Sequence, residues 1–257
     1  MFDIETIPDI EGLRRLHGFS ADCSDQEVAE QVFALRREKV GNDFLQHAQH
    51  RIVAISCVLR HGPEDLAVWS LGKVEDSETE LLTRFFALFE RFTPQLVSWN
   101  GGGFDLPVIN ARAMIQGVAA TKYWDWGDDD RDFKFNNYQN RYHTRHVDLM
   151  DVLAMFQPKA NTALDDMAKL CGLPGKLGMD GGQVWPAFQR GEIAGIRAYC
   201  ETDVVNTYLL YLRFMHMRGQ LTQESLAKET MRVREKIASA NMQNQTHWQE
   251  YLKAWAA

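Results

Sequence analysis

The sequence predicts an α/β fold, because apolar runs typical of buried strands alternate with segments whose apolar residues recur at helical spacing. Arg51–Leu59 and Leu66–Leu71 are rich in apolar and β-branched residues and predict two consecutive strands. Ser77–Phe92 places apolar side chains at i, i+3, i+4 and i+7, which indicates a helix with one buried face. Leu96–Trp99 predicts a further strand, which ends at a glycine-rich turn before helical spacing resumes.

The first predicted strand, Phe2–Pro8, carries two carboxylates within an otherwise apolar stretch. Alternate side chains of a strand share a face, so Asp3 and Glu5 point to the same side, roughly 7 Å apart along the backbone. Two negative charges on one face repel each other and resist desolvation unless protons or cations neutralise them, and hard divalent ions favour oxygen ligands. The pair therefore indicates either a metal site or an edge strand whose polar face meets water.

The remaining segments are predicted to be helical or irregular. Residues 10–50 are mostly polar, with apolar residues at helical spacing, and predict an inserted helical segment. Val147–Met155 and Thr162–Cys171 predict two helices, and residues 195–257 predict further helices whose last apolar stripe docks on the body of the protein. Residues 121–146 are dense in aromatic and charged side chains and predict either a solvated loop or a surface that stacks bases.

Length and composition favour one domain with additions, since 257 residues with 45% hydrophobic content suffice for one large core. The net charge of −7 argues against a surface that binds nucleic acid everywhere, but it is compatible with a local basic channel. The four cysteines are scattered without a CxxC pair, which indicates reduced thiols. Because the sequence has neither a signal-peptide pattern nor an apolar run of about 18 residues, we expect a soluble cytoplasmic protein without a membrane partner.

Two further acidic positions lie where a chain can present a side chain at the rim of an α/β sheet. Asp105 follows the glycine turn, near the strand ends where such sheets gather ligands, although a helix N-cap is the alternative interpretation. Asp203 lies four residues after Tyr199, so both side chains share one helical face. The glycine turn matches no phosphate-binding loop, because Gly-Lys-Ser/Thr is absent and Leu106 stands where a dinucleotide motif has glycine.

Three segments, Phe2–Thr6, Asn100–Asp105 and Tyr199–Asp203, resemble in that order the three motifs of the DEDDy exonucleases of ribonuclease H-like fold. The chain most resembles the predicted 3′→5′ exonucleases related to the proofreading domain of family B DNA polymerases. The DEDDh variant has histidine near the position where Ala198 stands, so the tyrosine subtype is indicated. The resemblance implies a mixed central sheet flanked by helices in residues 1–219, with extra helical segments at about residues 10–50 and 220–257.

The resemblance also implies the site and its cofactors. Two divalent ions, Mg²⁺ or Mn²⁺, lie about 3.5 to 4 Å apart in such enzymes. Asp3 would bridge both ions, Glu5 and Asp203 would hold the ion that activates water, and Asp105 would support the second ion. Tyr199 would orient the attacking water, because a free tyrosine with a pKa near 10 is a poor base at neutral pH. The implied catalytic residues are Asp3, Glu5, Asp105, Tyr199 and Asp203.

The reaction that the resemblance implies is removal of nucleotides from the 3′ end of single-stranded DNA. Asn100 and Phe104 would contact the terminal nucleotide, or would serve as a turn residue and a core residue. An exoribonuclease of the same fold is the nearest competing interpretation, because the contacts that read the 2′-hydroxyl are not visible in the motifs. The sequence also leaves open a non-catalytic nucleic-acid-binding module, and a scaffold whose acids are helix caps and solvated faces.

Overall fold

The computed structural model describes residues 1–62, 65–241 and 245–256, and these residues form five strands and ten α-helices. The strands are β1 (Phe2–Pro8), β2 (His50–His61), β3 (Asp65–Ser70), β4 (Leu96–Ser98) and β5 (His146–Asp148). The helices are α1 (Ile10–His17), α2 (Asp25–Val40), α3 (Glu78–Phe92), α4 (Asp105–Gln116), α5 (Leu149–Leu153), α6 (Leu164–Leu170), α7 (Val184–Gln189), α8 (Ile193–Met217), α9 (Gln223–Asn241) and α10 (Thr246–Ala256). The predicted α/β class is confirmed.

The described strands form two sheets. β2 lies at the centre of an antiparallel sheet of order β1-β2-β3, whereas β4 and β5 form a parallel pair. β1 contacts β4, which brings the two sheets together. The predicted combination of parallel and antiparallel pairing is therefore present, but it is divided between two sheets instead of lying in one continuous ladder.

Helix α8 forms the centre of the helical layer and contacts both β1 and β2. Buried residues, most of them apolar, occur on nearly all sides of its central part, as expected of a helix at the centre of a protein. On the other side of the sheet, α3 packs Phe85 against Phe2 and Phe89 against Phe85, as its apolar stripe predicts. The strand that carries Asp3 and Glu5 is thus held between two helical layers.

The predicted helices at both ends of the chain are present. α1 and α2 pack on each other through Leu13, Val28 and Val32, and a capping box at Ser24 begins α2. α10 packs on α8, where Tyr251 donates a hydrogen bond of 2.7 Å to Asn206. The predicted docking of the last apolar stripe is confirmed, while residues 242–244 and 257 of the predicted tail lie outside the described residues.

The predicted helix over Val147–Met155 is wrong at both ends. His146–Asp148 form β5, which pairs in parallel with β4, and α5 covers Leu149–Leu153. The Asp148 carboxylate accepts a hydrogen bond from a backbone N–H in the first turn of α5, so the helix begins after Asp148. Met155 has a φ of 52°, in the left-handed region, which ends the helix on the other side.

A buried arginine connects α3 and α4. Arg112 is 2% exposed and donates to both carboxylate oxygens of Glu78, at 2.8 and 2.6 Å, and to Asp9 at 2.5 Å. Glu78 also accepts from the backbone N–H of Ile52 in β2, at 2.7 Å. Because α4 begins at Asp105, this network fixes the helix that carries one of the candidate site residues.

Within residues 1–62, 65–241 and 245–256, no helix combines the length and the apolar character needed to cross a membrane.

Candidate active site

The structure brings Asp3, Glu5, Asp105 and Asp203 together beside β1. The backbone N–H of Ile4 donates to the Asp105 carboxylate at 3.2 Å, which joins the start of α4 to β1. From α8, the Cys200 thiol lies 3.6 Å from an Asp3 carboxylate oxygen, and one ligand atom each of Asp3, Glu5 and Cys200 lie within 4.8 Å of one another. Asp203, three residues further along α8, lies close enough to interact electrostatically with Asp3 and Glu5, so acids from β1 and from α8 share one small volume.

Burial and mutual repulsion act on the protonation of these acids. Burial raises the pKa of Asp3 well above its ordinary value, and the charges of Asp105 and Asp203 raise it further. The pKa of Glu5 is raised by burial and then by Asp3 and Asp203. Burial likewise raises the pKa of Asp105 to about 7, in spite of the hydrogen bond from Ile4. The four carboxylates can all ionise together only with compensating positive charge.

Lys176 supplies one positive charge to this cluster. Its ammonium lies 2.9 Å from Asp203 and donates a short hydrogen bond to the Tyr199 hydroxyl. Burial lowers the pKa of Lys176, but Asp203, Asp3 and Glu5 outweigh burial and raise it above its ordinary value, so the group stays protonated. No motif or spacing in the sequence pointed to Lys176, because it lies in an irregular loop after α6.

Asp203 has a second oxygen whose environment differs. Its Oδ2 pairs with Lys176, whereas its Oδ1 is buried and has no hydrogen-bond partner among the described residues. A buried carboxylate oxygen without a donor is unfavourable unless a cation or another ligand satisfies it. Carboxylate oxygens are also the ligands that Mg²⁺ and Mn²⁺ prefer. The donor set and this unpaired oxygen fit a site for hard divalent cations.

Tyr199 is buried, one helical turn before Asp203, and packs in a cluster with Ile7 of β1. Burial raises the pKa of its phenol, and the neighbouring charges of Asp203 and Glu5 raise it further. The phenol is therefore neutral at physiological pH. It can position a water molecule through a hydrogen bond, but it cannot act as a base.

The glycine turn after β4 sets the position of Asp105. The Asp148 carboxylate accepts from the backbone N–H groups of Asn100 and Gly102, each at 2.9 Å. A Cβ at Gly101 would lie 2.3 Å from the Ser98 hydroxyl, so this position requires glycine. Phe104 is the N-cap residue of α4, and Asp105 is its first helical residue, so the N-cap interpretation of Asp105 is wrong.

The candidate nucleotide contacts lie in the same turn. Asn100 has a φ of 64°, which fits a turn-forming asparagine, and its side chain folds over Gly103. Phe104 is half-buried and packs at the edge of the main core. Asp148 caps α5 and also holds the turn, which makes it a buried structural residue.

Comparison with known proteins agrees with this arrangement. Residues 42–255 match the model of a family described as "Predicted 3'-5' exonuclease related to the exonuclease domain of PolB". The matched range contains Asp105, Tyr199 and Asp203, while Asp3 and Glu5 precede it.

Curated relatives share lower similarity over part of the chain. One of them, a DNA polymerase epsilon catalytic chain of Arabidopsis thaliana, is 25% identical over 150 residues, which are 54% of this chain and 6% of that protein. The corresponding catalytic chains of DNA polymerase epsilon in Emericella nidulans and in Aspergillus fumigatus are each 26% identical over 149 residues, covering 55% of this chain and 6% of each relative. The chain thus matches a small part of the length of these relatives.

Proposed function

The chain belongs to the family of predicted 3′-5′ exonucleases related to the exonuclease domain of PolB, and from this premise we propose that it is a metal-dependent nuclease. It removes nucleotides from the 3′ end of single-stranded DNA by hydrolysing the terminal phosphodiester bond. The domain is ribonuclease H-like, comprises residues 1–219, and is extended by helices in residues 220–257. The convergence of Asp3, Glu5, Asp105 and Asp203 beside Tyr199 is the observation that carries this proposal.

Asp3, Glu5, Asp105 and Asp203 would hold two divalent ions, Mg²⁺ or Mn²⁺, which when bound polarise the scissile phosphate and acidify the attacking water. Asp3 would hold a cation together with Asp105 and Asp203, whose charges act on its carboxylate. Asp105 accepts a hydrogen bond from the Ile4 amide, which holds its carboxylate beside β1. The unpaired Oδ1 of Asp203 supports its role as a ligand.

The other side chains of the site orient the reacting groups. Tyr199 remains a neutral phenol and holds the attacking water by a hydrogen bond. Lys176 donates to the Tyr199 hydroxyl, and its charge favours the ionised form of Asp203 against the effect of burial. Asn100 and Phe104 contact the terminal nucleotide from the turn before α4. The names of the relatives, which are DNA polymerases, favour DNA over RNA as the substrate.

The proposal is tested with single-stranded DNA and RNA of equal sequence, labelled at the 5′ end and incubated with Mg²⁺, Mn²⁺ or a chelator. We expect a ladder of products that shorten from the 3′ end with either metal and intact substrate in the chelator. A stronger ladder on DNA supports the proposed substrate, whereas a stronger ladder on RNA identifies an exoribonuclease. Absence of any ladder would refute the nuclease activity.

Tyr199→Phe is expected to lower kcat roughly 10- to 100-fold, because the attacking water loses an orienting hydrogen bond. Metal binding should change little, since the four carboxylates are intact. Product formation measures kcat, and titration calorimetry with Mn²⁺ measures metal binding. An unchanged kcat would mean that Tyr199 serves packing alone.

Lys176→Met is expected to move the acidic limb of the pH–rate profile to higher pH. The ammonium lowers the pKa of Asp203, so its removal makes that carboxylate harder to ionise. Lys169→Met is the matched control, because Lys169 is 58% exposed and pairs with Asp165 on the surface. The measurement is the pH profile of kcat/KM for both variants between about pH 5 and 9. Identical profiles for the two variants would exclude this role of Lys176.

A further inference from the structure

Four rings form a continuous aromatic surface next to the acidic cluster, and we call this surface the aromatic corner. Its members are Phe44, His47, His50 and Phe104. The ring centroid of Phe104 lies 5.5 Å from Phe44, 5.9 Å from His47 and 5.2 Å from His50. Phe104 is thus surrounded by rings from the segment that leads from the inserted helices into β2.

Hydrogen bonds hold the corner in place. His47 donates from Nε2 to the backbone carbonyl of Gly103 at 2.9 Å, because a carbonyl can only accept. Arg36 of α2 donates to the backbone carbonyl of Phe44 at 2.9 Å. His50 accepts from the Thr6 hydroxyl at 2.9 Å and donates to the Leu45 carbonyl at 3.3 Å. The segment is therefore attached to the glycine turn, to α2 and to β1.

The corner adjoins the candidate active site at the start of α4, where Phe104 directly precedes Asp105. Although its neighbours are fixed, Phe44 leaves 54% of its surface exposed. An apolar ring that is held in an ordered contact and still faces solvent offers a stacking surface to a flat ligand.

We propose that Phe44 and His47 extend the terminal-nucleotide site, so that the nucleobase at the 3′ end stacks on the aromatic corner. This inference rests on the proposed nuclease function and adds the inserted segment to its substrate site. The acidic cluster would hold the cations that bind the phosphate, while the rings beside it receive the base. Stacking uses the π-face that every nucleobase has, so the corner binds the terminal nucleotide without selecting its sequence.

The test compares two single-stranded DNA substrates, one with an intact 3′-terminal nucleotide and one with an abasic residue at that position. Phe44→Ala is expected to raise KM for the intact substrate roughly 5- to 100-fold, since base stacking contributes that much to binding, with little change in kcat. On the abasic substrate, Phe44→Ala and the unaltered protein should have equal KM values. Phe44→Trp should retain the KM of the unaltered protein on both substrates.

The matched control is Phe135→Ala, because Phe135 is 77% exposed and its ring faces the ammonium of Lys134 instead of the aromatic corner. Equal effects of Phe44→Ala on the intact and abasic substrates, or no effect on either, would overturn the inference. Absence of cleavage by the unaltered protein refutes the proposed function. Fluorescence anisotropy with the same two oligonucleotides then still shows whether Phe44 binds a terminal base.

Discussion

Replacing Asp3 by Asn is expected to abolish hydrolysis and, in a chelator, to raise the melting temperature of the protein. Loss of a residue that only orients a metal ligand typically costs 10- to 100-fold in activity, so loss of a proposed ligand itself should lower kcat more than about 100-fold. The gain in stability follows because Asp3 is half-buried and lies close to Asp105 and Asp203, so that desolvation and these two charges raise its pKa. Asp203→Asn should abolish activity in the same way.

The pH dependence of this gain has a definite sign. The buried acids have raised pKa values in the folded protein, about 7 for Asp105, so the folded state binds protons that the unfolded state has released. Their contribution to stability is lost as pH rises from about 4 to about 7. The buried His50 and His146, whose pKa values are lowered to about 4 mainly by desolvation, act in the opposite direction. Both histidines remain in Asp3→Asn, so their effect cancels when its stability is compared with that of the unaltered protein. The pH dependence of the difference in stability then reports on the acids alone.

Melting curves in EDTA between about pH 5 and 8 measure this difference. The melting temperature of Asp3→Asn should exceed that of the unaltered protein by a margin that grows with pH. Asp129→Asn, which removes an exposed acid, is the matched control and should show a constant difference. Retained cleavage in Asp3→Asn or Asp203→Asn would contradict the proposed roles.

Arg112→Met is expected to have the largest effect on stability. It leaves Glu78 and Asp9 as buried carboxylates without their cation, and loss of one partner from a buried ion pair costs about 3 to 5 kcal/mol. For a chain of this size the melting temperature should fall by roughly 6 to 20 °C. Differential scanning calorimetry in the presence of Mg²⁺ measures the change.

The control for Arg112 is Arg37→Met. Arg37 is 53% exposed and pairs at 3.1 Å with Asp43, which is 61% exposed, and exposed pairs contribute about 0 to 1 kcal/mol. Equal melting temperatures of the two variants would mean that the Arg112 network contributes no more than a surface pair.

Segments with a strong period of their own could be predicted from the sequence. Helix α3 and the long strand β2 are examples. The apolar residues of α3 recur at helical spacing and those of β2 are consecutive, so each pattern indicates its element directly. β5 could not be predicted, since it has three residues and depends on pairing with β4. Its last residue, Asp148, is also the N-cap of α5, so the segment resembles the start of a helix.

The same distinction applies to the candidate site. Local patterns in the sequence, together with the residue types within them, predict a shared site for five residues: Asp3, Glu5, Asp105, Tyr199 and Asp203. Lys176 and Phe44 carry no such pattern. Lys176 contacts Asp203, and Phe44 contacts Phe104, through the tertiary fold. The spacing of neighbouring residues does not reveal contacts between segments that are distant in the sequence.

The order of synthesis limits when the site can form. Cys200 contacts Asp3, which lies 197 positions earlier in the chain, and Tyr251 contacts Asn206, which lies 45 positions earlier. On the ribosome, β1 therefore emerges long before α8, and α8 is made before the helix that covers it. The acidic cluster cannot assemble until α8 has been translated, and these long-range contacts predict slow folding.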